Sequence, residues 1–341
     1  MAPPLHPADG DPVPPALRGF AKAHADLVRL HEDPAHLVAR HRDPARRVGL
    51  VSGGGSGHEP MHAGFLGRGM LDAVAPGKVF ASPHNKQVLA ASRHAAGPDG
   101  VLHVVKNYTG DRINFGIAAE RLRLEGIEVR RVLVDDDLAT ESDETATGRR
   151  GTGATVVVEK LLGAAADTGL GLDDLAALGA EFAGASRSLA VATRAQTSMH
   201  TGRPSFALED GELEYGVGIH GERAQRTISR PPAEELVDRM LDEVVAGLPA
   251  GPDEVVVVVN GLGGTTLLEL YGLHDLVSDG LARRGLDVVG ALVGTFVPAL
   301  DMAGFSLTLT RLRPSWKPWW TAPAITPAFP RSTAPTTEET R

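Results

Sequence analysis

Three short apolar runs, each closing on polar residues, restrict what this chain can fold into more than any other feature. "RRVGLVSGG", "VLHVVKNYTGD" and "VRRVLVDDD" each read as a β-strand with polar groups at its C-terminal end. Between the second and third, "INFGIAAERLRLEG" spaces Ile113, Ile117, Ala118, Leu122 and Leu124 like a buried helix face, with Gly126 as its stop. Strands apolar on both faces, alternating with helices, predict a parallel sheet covered on both sides. Ligands of such sheets collect beyond the C-terminal strand ends. The polar clusters at 52–58 and 106–111 both stand there.

From about Leu161 to Ala192 the pattern predicts helix, broken near Gly169–Gly171 and Gly184. "SFALEDGELEYGVGIHGE" then predicts a hairpin turning at Asp210-Gly211, its second arm ending at His220. "DEVVVVVNGLGGTTLLELYGLHDLVSDGLARRG" restarts the strand-turn-helix scheme, and "LDVVGALVG" and "SLTLTRL" add strands. At 341 residues, two domains are the default. The expected fold class is two α/β domains on mainly parallel or mixed sheets covered by helices. The expected division is a flexible segment 1–15, a first domain 16–190, a second 191–328 and a disordered tail 329–341. Six prolines fall in residues 1–15, and six more, with all three tryptophans, in 314–341. Trp316, Trp319 and Trp320 are too many large aromatics for a free tail, so they are expected to pack on a surface or a partner.

Composition removes several function classes. A net charge of -9 argues against affinity for nucleic acid or anionic membrane, both of which need basic patches. No apolar run approaches the length of a membrane span, and the N-terminus lacks the basic and apolar regions of a secretory signal. With no cysteine there is no disulfide scaffold and no thiolate metal site, which fits a cytoplasmic location.

His58-Glu59-Pro60-Met61-His62 matches the H-E-x-x-H pattern of zinc proteases, but that chemistry needs both histidines on one helix face. Gly53-Gly54-Gly55-Ser56-Gly57 runs directly into His58, and proline is tolerated only in a first helical turn. A helix would therefore begin near Pro60, with His58 still in the loop. The glycines lack the Lys-Ser/Thr of a phosphate loop and the spacing of a dinucleotide fingerprint. Two readings remain: a run that lets a small ligand approach exposed backbone N–H groups, or a tight turn with Ser56 capping a helix. Lys106-Asn107-Tyr108-Thr109-Gly110-Asp111 offers a cation, a carboxylate and two hydroxyls at the neighbouring strand end. Alone it reads as a solvated loop; beside the glycine run it suggests a small polyol or phosphate site. His220, between Gly218 and Gly221, is ambiguous alone, although the glycines suggest that something approaches its ring.

Longer motifs identify a family. "GLVSGGGSGHEPMHAGFLGRGMLDA", "VFASP", "VKNYTGDRINFGIAAE", "GRRGTGAT", "GRPSFAL", "YGVGIHGE", "VNGLGGTTLLELYG" and "LVGTFVPALDMAGFSLTL" occur in order from about residue 15 to 328. Together they resemble the substrate-binding K subunit, or N-terminal kinase-type domain, of dihydroxyacetone kinases. The resemblance implies that His220 attacks the substrate ketone and holds it as a covalent hemiaminal. It implies that Gly55, Ser56, Gly57 and His58 surround the substrate hydroxyls together with Lys106 and Asp111. Asp111 and His58 are the candidates to accept the proton of the phosphorylated hydroxyl. A neutral imidazole is a competent nucleophile toward a carbonyl, and such a bond selects ketoses and aldehydes over glycerol.

The same resemblance implies a homodimer that binds no cofactor or metal itself. ATP, or ADP recharged by a phosphotransferase-system protein, would sit with Mg2+ on a separate L subunit, and the substrate stays open among dihydroxyacetone, glyceraldehyde and four-carbon ketoses. A non-catalytic ketose sensor, or a partner of a transcriptional regulator, would use the same pocket. Three departures stand out. Arg223-Ala224-Gln225 replaces the common Pro-Gly after "GIHGE", so a different loop is expected there. His84 and Lys86 replace smaller or acidic residues and are expected to add positive charge near the site. "LRPSWKPWWTAPAITPAF" replaces an acidic, leucine-rich helix.

Overall fold

The computed structural model describes residues 10–140, 148–199, 201–222, 224 and 226–330. Helix α1 (Val13–Ala23) leads into a hairpin of β1 (Val28–Glu32) and β2 (Ala35–Ala39). Then come β3 (Gly49–Ser56), β4 (Ala73–Val79), α2 (Asn85–Ala95), β5 (Val101–Lys106), α3 (Thr109–Leu124) and β6 (Val129–Val134). They build a six-stranded sheet in the order β1-β2-β4-β3-β5-β6. The four strands from β4 to β6 are parallel, and the hairpin joins them antiparallel through β2.

Two helices, α4 (Ala154–Ala166) and α5 (Leu172–Gly184), lead to the second sheet. Its elements are β7 (Ser186–Arg194), β8 (Glu212–Tyr215), β9 (Arg226–Ser229), α6 (Ala233–Gly247), β10 (Glu254–Gly261), α7 (Leu267–Arg283), β11 (Asp287–Gly294) and β12 (Ala303–Arg311). Here the order is β11-β10-β12-β7-β8-β9, and only β10 and β11 run parallel.

Side-chain alternation along the strands sets the layers. In β10, Val255, Val257 and Val259 face an outer core with α6 and α7, whereas Val256 and Val258 face inward. The inward core also holds Leu50, Leu102 and Val104 of the first sheet together with residues of α4 and α5. A third core packs α2 and α3 on the far face of the first sheet. Helices α4 and α5 are thus shared by both sheets, and every residue of α4 is buried. A helix apolar all round, as "ATVVVEKLLGAAA" nearly is, belongs in such a place.

The C-terminal segment returns to the first sheet. After β12 it forms the short helix α8 (Lys317–Thr321), with Trp316 and Trp320 buried. Trp320 lies against Gly290 of β11, Trp316 packs edge-on against Phe182 of α5, and Lys160 of α4 donates to the Trp319 carbonyl at 2.6 Å. Farther on, Ile325 N–H donates to Arg68 O and Ala328 N–H to Gly64 O, both at 2.9 Å. The tryptophans therefore pack on the chain's own core.

Several expectations change. Residues 186–192 are strand β7, not helix, and the expected division at 190/191 falls inside it. No hairpin turns at Asp210-Gly211: β8 pairs with β7 and β9, and His220 lies in the loop after β8. On α3 the buried stripe is Asp111, Phe115, Ala118, Ala119 and Leu122, while Ile113 and Leu124 are exposed. Val13–Pro15, expected in the flexible segment, begin α1, and Phe329, expected in the tail, is buried; residues 1–9 and 331–341 lie outside the described residues.

Candidate active site

The glycine run is strand, not turn. Gly53 and Gly54 lie in β3 opposite Ala75 and Pro76 of β4. Glycine is needed at 53, where a Cβ would overlap the backbone O of Ala75 in β4, and at 54 a Cβ would displace Lys106 Nζ. Ser56 caps no helix, since its hydroxyl donates to Gly77 O at 2.7 Å. Beyond Gly57 (φ +100°) the chain is clamped by two residues with φ 54°, Phe80 and Leu300. Phe80 N–H donates to Ser56 O and Leu300 N–H to Gly57 O, both at 2.9 Å. Such conformations cost on the order of 1–3 kcal/mol for a side-chain-bearing residue, so the segment that presents His58 is held under strain on both sides.

His58 is fully buried. Its Nδ1 lies 2.8 Å from Pro298 O, which can only accept, so Nδ1 carries the proton and Nε2 keeps a bare lone pair. Nε2 has no hydrogen-bond partner. Burial first, then the proximity of His220 and Lys106, pushes this imidazole well below its ordinary pKa, so it is neutral at pH 7. His62, four residues on, points elsewhere, toward Lys106 and Glu159. No helix begins at Pro60; turns and a short 3-10 segment, Ala63–Phe65, follow. The two histidines do not form a zinc-protease pair.

The His220 ring stands edge-on to three others, with centroids 4.4 Å from Tyr108, 4.8 Å from His58 and 5.8 Å from Phe80. Its backbone N–H donates to Glu222 Oε2 at 2.7 Å, and its Nδ1 lies 3.5 Å from Glu222 Oε1. Arg150, itself 2.6 Å from Asp137, stands 3.6 Å from the same carboxylate. Burial alone would raise Glu222, but His220 and Arg150 outweigh it and hold the carboxyl at about 2. An anion beside Nδ1 favours the proton on that nitrogen and leaves Nε2 free to attack. The flanking glycines serve protein neighbours: a Cβ at 218 would overlap Arg150 and Glu222, and one at 221 would overlap Gln196.

Lys106 ends β5 fully buried, its Nζ 3.1 Å from His62 Nε2, 3.3 Å from Gly53 O and 3.5 Å from Asp111 Oδ2. An ammonium can only donate, so His62 Nε2 accepts and Nδ1–H donates to Glu159 Oε1 at 2.6 Å. Burial pushes Glu159 up to about 8, against the opposing pull of Ser52 and Lys106, so this carboxyl is protonated at neutral pH. Asp111 Oδ1 and the Tyr108 hydroxyl are buried without a partner.

The structure thus joins His58 to His220 and Lys106 to Asp111. Tyr108 bridges the two pairs, two residues from Lys106 and against His220. Gly55, Ser56 and Gly57 form the strand end that delivers His58. His84 and Lys86 are exposed at the start of α2, where the His84 ring accepts from the Lys86 N–H. Arg223 and Gln225 lie outside the described residues; Ala224 N–H donates to Glu214. Sequence reasoning missed Phe80, Glu222, Glu159 and the role of His62. Phe80 in "VFASP", Glu222 in "GIHGE" and His62 in "HEPMH" stood in motifs already singled out, whereas Glu159 did not.

Residues 18–328 match the Dak1 domain. The chain belongs to the Dak1 family. This Dak1 chain is 40% identical over 342 residues to the PEP-dependent dihydroxyacetone kinase, dihydroxyacetone-binding subunit DhaK, of Escherichia coli (strain K12), covering 92% of this chain and 95% of that protein. Among solved structures it is similar to the dihydroxyacetone kinase operon co-activator Dha-DhaQ, with a TM-score of 0.89 at 31% identity, covering 95% of this chain and 100% of that one. It is also similar to the dihydroxyacetone kinase of C. freundii, with a TM-score of 0.84 at 34% identity, covering 95% of this chain and 59% of that one. Among the described residues of this Dak1 protein, no helix is long and apolar enough to cross a membrane.

Proposed function

We propose that this chain is the substrate-binding subunit of a dihydroxyacetone kinase, that it holds a short ketose on His220, and that it presents the ketose hydroxyl for phosphoryl transfer. The observation that carries the reading is the His220 ring standing among Tyr108, His58 and Phe80 with the Glu222 anion behind its Nδ1. Nε2 adds to the ketone carbon, the π pair moves to oxygen, and that oxygen takes up a proton. The proton that leaves Nδ1 passes by way of Glu222 to solvent, and solvent returns one to the oxygen, so Glu222 ends as the carboxylate it began and neutral imidazole and neutral ketone give a neutral hemiaminal. Unpartnered buried polar atoms cost on the order of 1–3 kcal/mol, and the sugar hydroxyls supply partners for His58 Nε2, Asp111 Oδ1 and the Tyr108 hydroxyl. His58 and Asp111 then stand as bases at the hydroxyl that is phosphorylated, and much of the rate gain comes from orientation.

The donor on this reading is ATP with Mg2+ on a separate L subunit, either taken up free or regenerated there from bound ADP; the PEP-dependent name of the E. coli relative favours recharging by a phosphotransferase-system protein. The family resemblance adds a homodimer, which sedimentation would test, and a cytoplasmic location. The likeness to an operon co-activator favours a second reading, a ketose sensor without turnover.

Dihydroxyacetone labelled with carbon-13 at its carbonyl separates the cases. A protein-bound tetrahedral carbon that is seen in the wild type and lost in His220→Ala is the expected NMR result, with free hydrate as the control. Binding without that signal, or the same signal in the variant, would mean capture by hydrogen bonds alone and give the sensor reading the lead.

A further inference from the structure

At the edge of the first sheet, three imidazoles converge where the β1–β2 hairpin meets the last turn of α2. His31 and His36 are directly opposed across the hairpin, and His94 packs over both. Ring centroids are 4.6 Å apart for His31–His36, 4.3 Å for His31–His94 and 4.8 Å for His36–His94. One ring nitrogen of each lies within 4.8 Å of the others. We propose that His31, His36 and His94 form a binding site for a divalent transition ion of the zinc, cobalt or nickel class, separate from the ketose site.

Second-sphere geometry supports this. His36 Nδ1 lies 2.7 Å from Pro34 O, a carbonyl that fixes the proton there and leaves Nε2 as a free donor atom. That Nε2 is 2.8 Å from His94 Nδ1, which also lies 3.2 Å from Ala90 O. Without an ion, His94 therefore carries its proton on Nδ1 and donates to His36. Binding needs only the other neutral tautomer of His94, so no net proton is released at that residue. Burial lowers the pKa of His36 to about 4, and that of His31 also falls, so both rings are neutral ligands at pH 7.

Imidazole-only donor sets suit borderline divalent ions rather than calcium or magnesium. Tetrahedral zinc at Zn–N of about 2.0–2.1 Å needs nitrogens roughly 3.4 Å apart, and the rings, stacked without an ion at 8°, 26° and 28° to one another, turn their lone pairs toward a common centre to bind it. His94 is exposed and His31 half-buried, so solvent can take a fourth position. The ion would tie the hairpin to α2, where the Gln87 side chain already donates to Ala35 O and Pro76 O.

The test uses the full chain without a histidine tag, stripped by chelator and titrated with Co2+ and then Zn2+. Calorimetry and the cobalt ligand-field spectrum are read for the wild type, His31→Gln, His94→Gln and His220→Ala. One ion per chain is expected, displaced by zinc and raising the melting temperature. Affinity should fall at least about tenfold in His31→Gln and His94→Gln and stay unchanged in His220→Ala. No saturable binding, or equal affinity in all four proteins, would overturn the proposal.

Discussion

Glu159 shows how far one buried side chain can set the pH behaviour of this fold. Its carboxyl ionises near 4.5 when exposed but at about 8 in the folded chain. Between those values the folded state keeps a proton that the unfolded state has lost, so stability falls as pH rises through that window. Glu159→Gln stays neutral, and its melting temperature is expected to depend less on pH there; equal slopes for the two proteins would refute this. Nothing in "VVVEKLL" betrayed that role, because it comes from burial between the two sheets, beside His62 of the turns that follow β3. His58, Asp111 and His220, in contrast, stood in motifs and could be nominated before any contact was known. Tyr108 and Glu222 also stood in quoted motifs, but that both meet His220 depends on contacts across elements and leaves no local trace.

Helix α3 shows why element faces were misread. Its buried stripe, Asp111, Phe115, Ala118 and Leu122, keeps helical spacing, but it starts with a carboxylate. A tally of apolar residues skips Asp111 and drifts to Ile113 and Leu124, which face outward. The face that looked imperfect is the one that delivers a candidate base. Strand β7 was lost for a related reason: "SRSLAVATR" is a central strand of small residues, and its alanines imitate a helix. Helix α4 begins at Ala154, well before the Leu161 from which helix was expected, because its run of valines reads equally well as strand. Leu161→Ala in that helix is expected to lower unfolding free energy by about 2–5 kcal/mol in denaturant titration. A change below 1 kcal/mol, on that scale, would mean that the core between the sheets collapses to fill the gap.

At the scale of the molecule, the alternation of strands and helices was enough for the architecture, two helix-covered sheets, but not for their connection. The shared helices α4 and α5 and the returning C-terminal segment depend on contacts hundreds of positions apart. Trp320→Ala tests that connection, since the ring is buried against Gly290 and beside Phe329. A loss of about 3–5 kcal/mol is expected from thermal or denaturant unfolding, and an unchanged midpoint would show that the segment is ornamental. Because Gly64 and Arg68 take hydrogen bonds from Ala328 and Ile325, the segment that joins β3 to β4 is completed by residues that leave the ribosome long after it. That joining segment also carries His62, the residue that links Lys106 to Glu159, so the buried polar chain of the first half gains its last outer support only when residues 325–328 have been made.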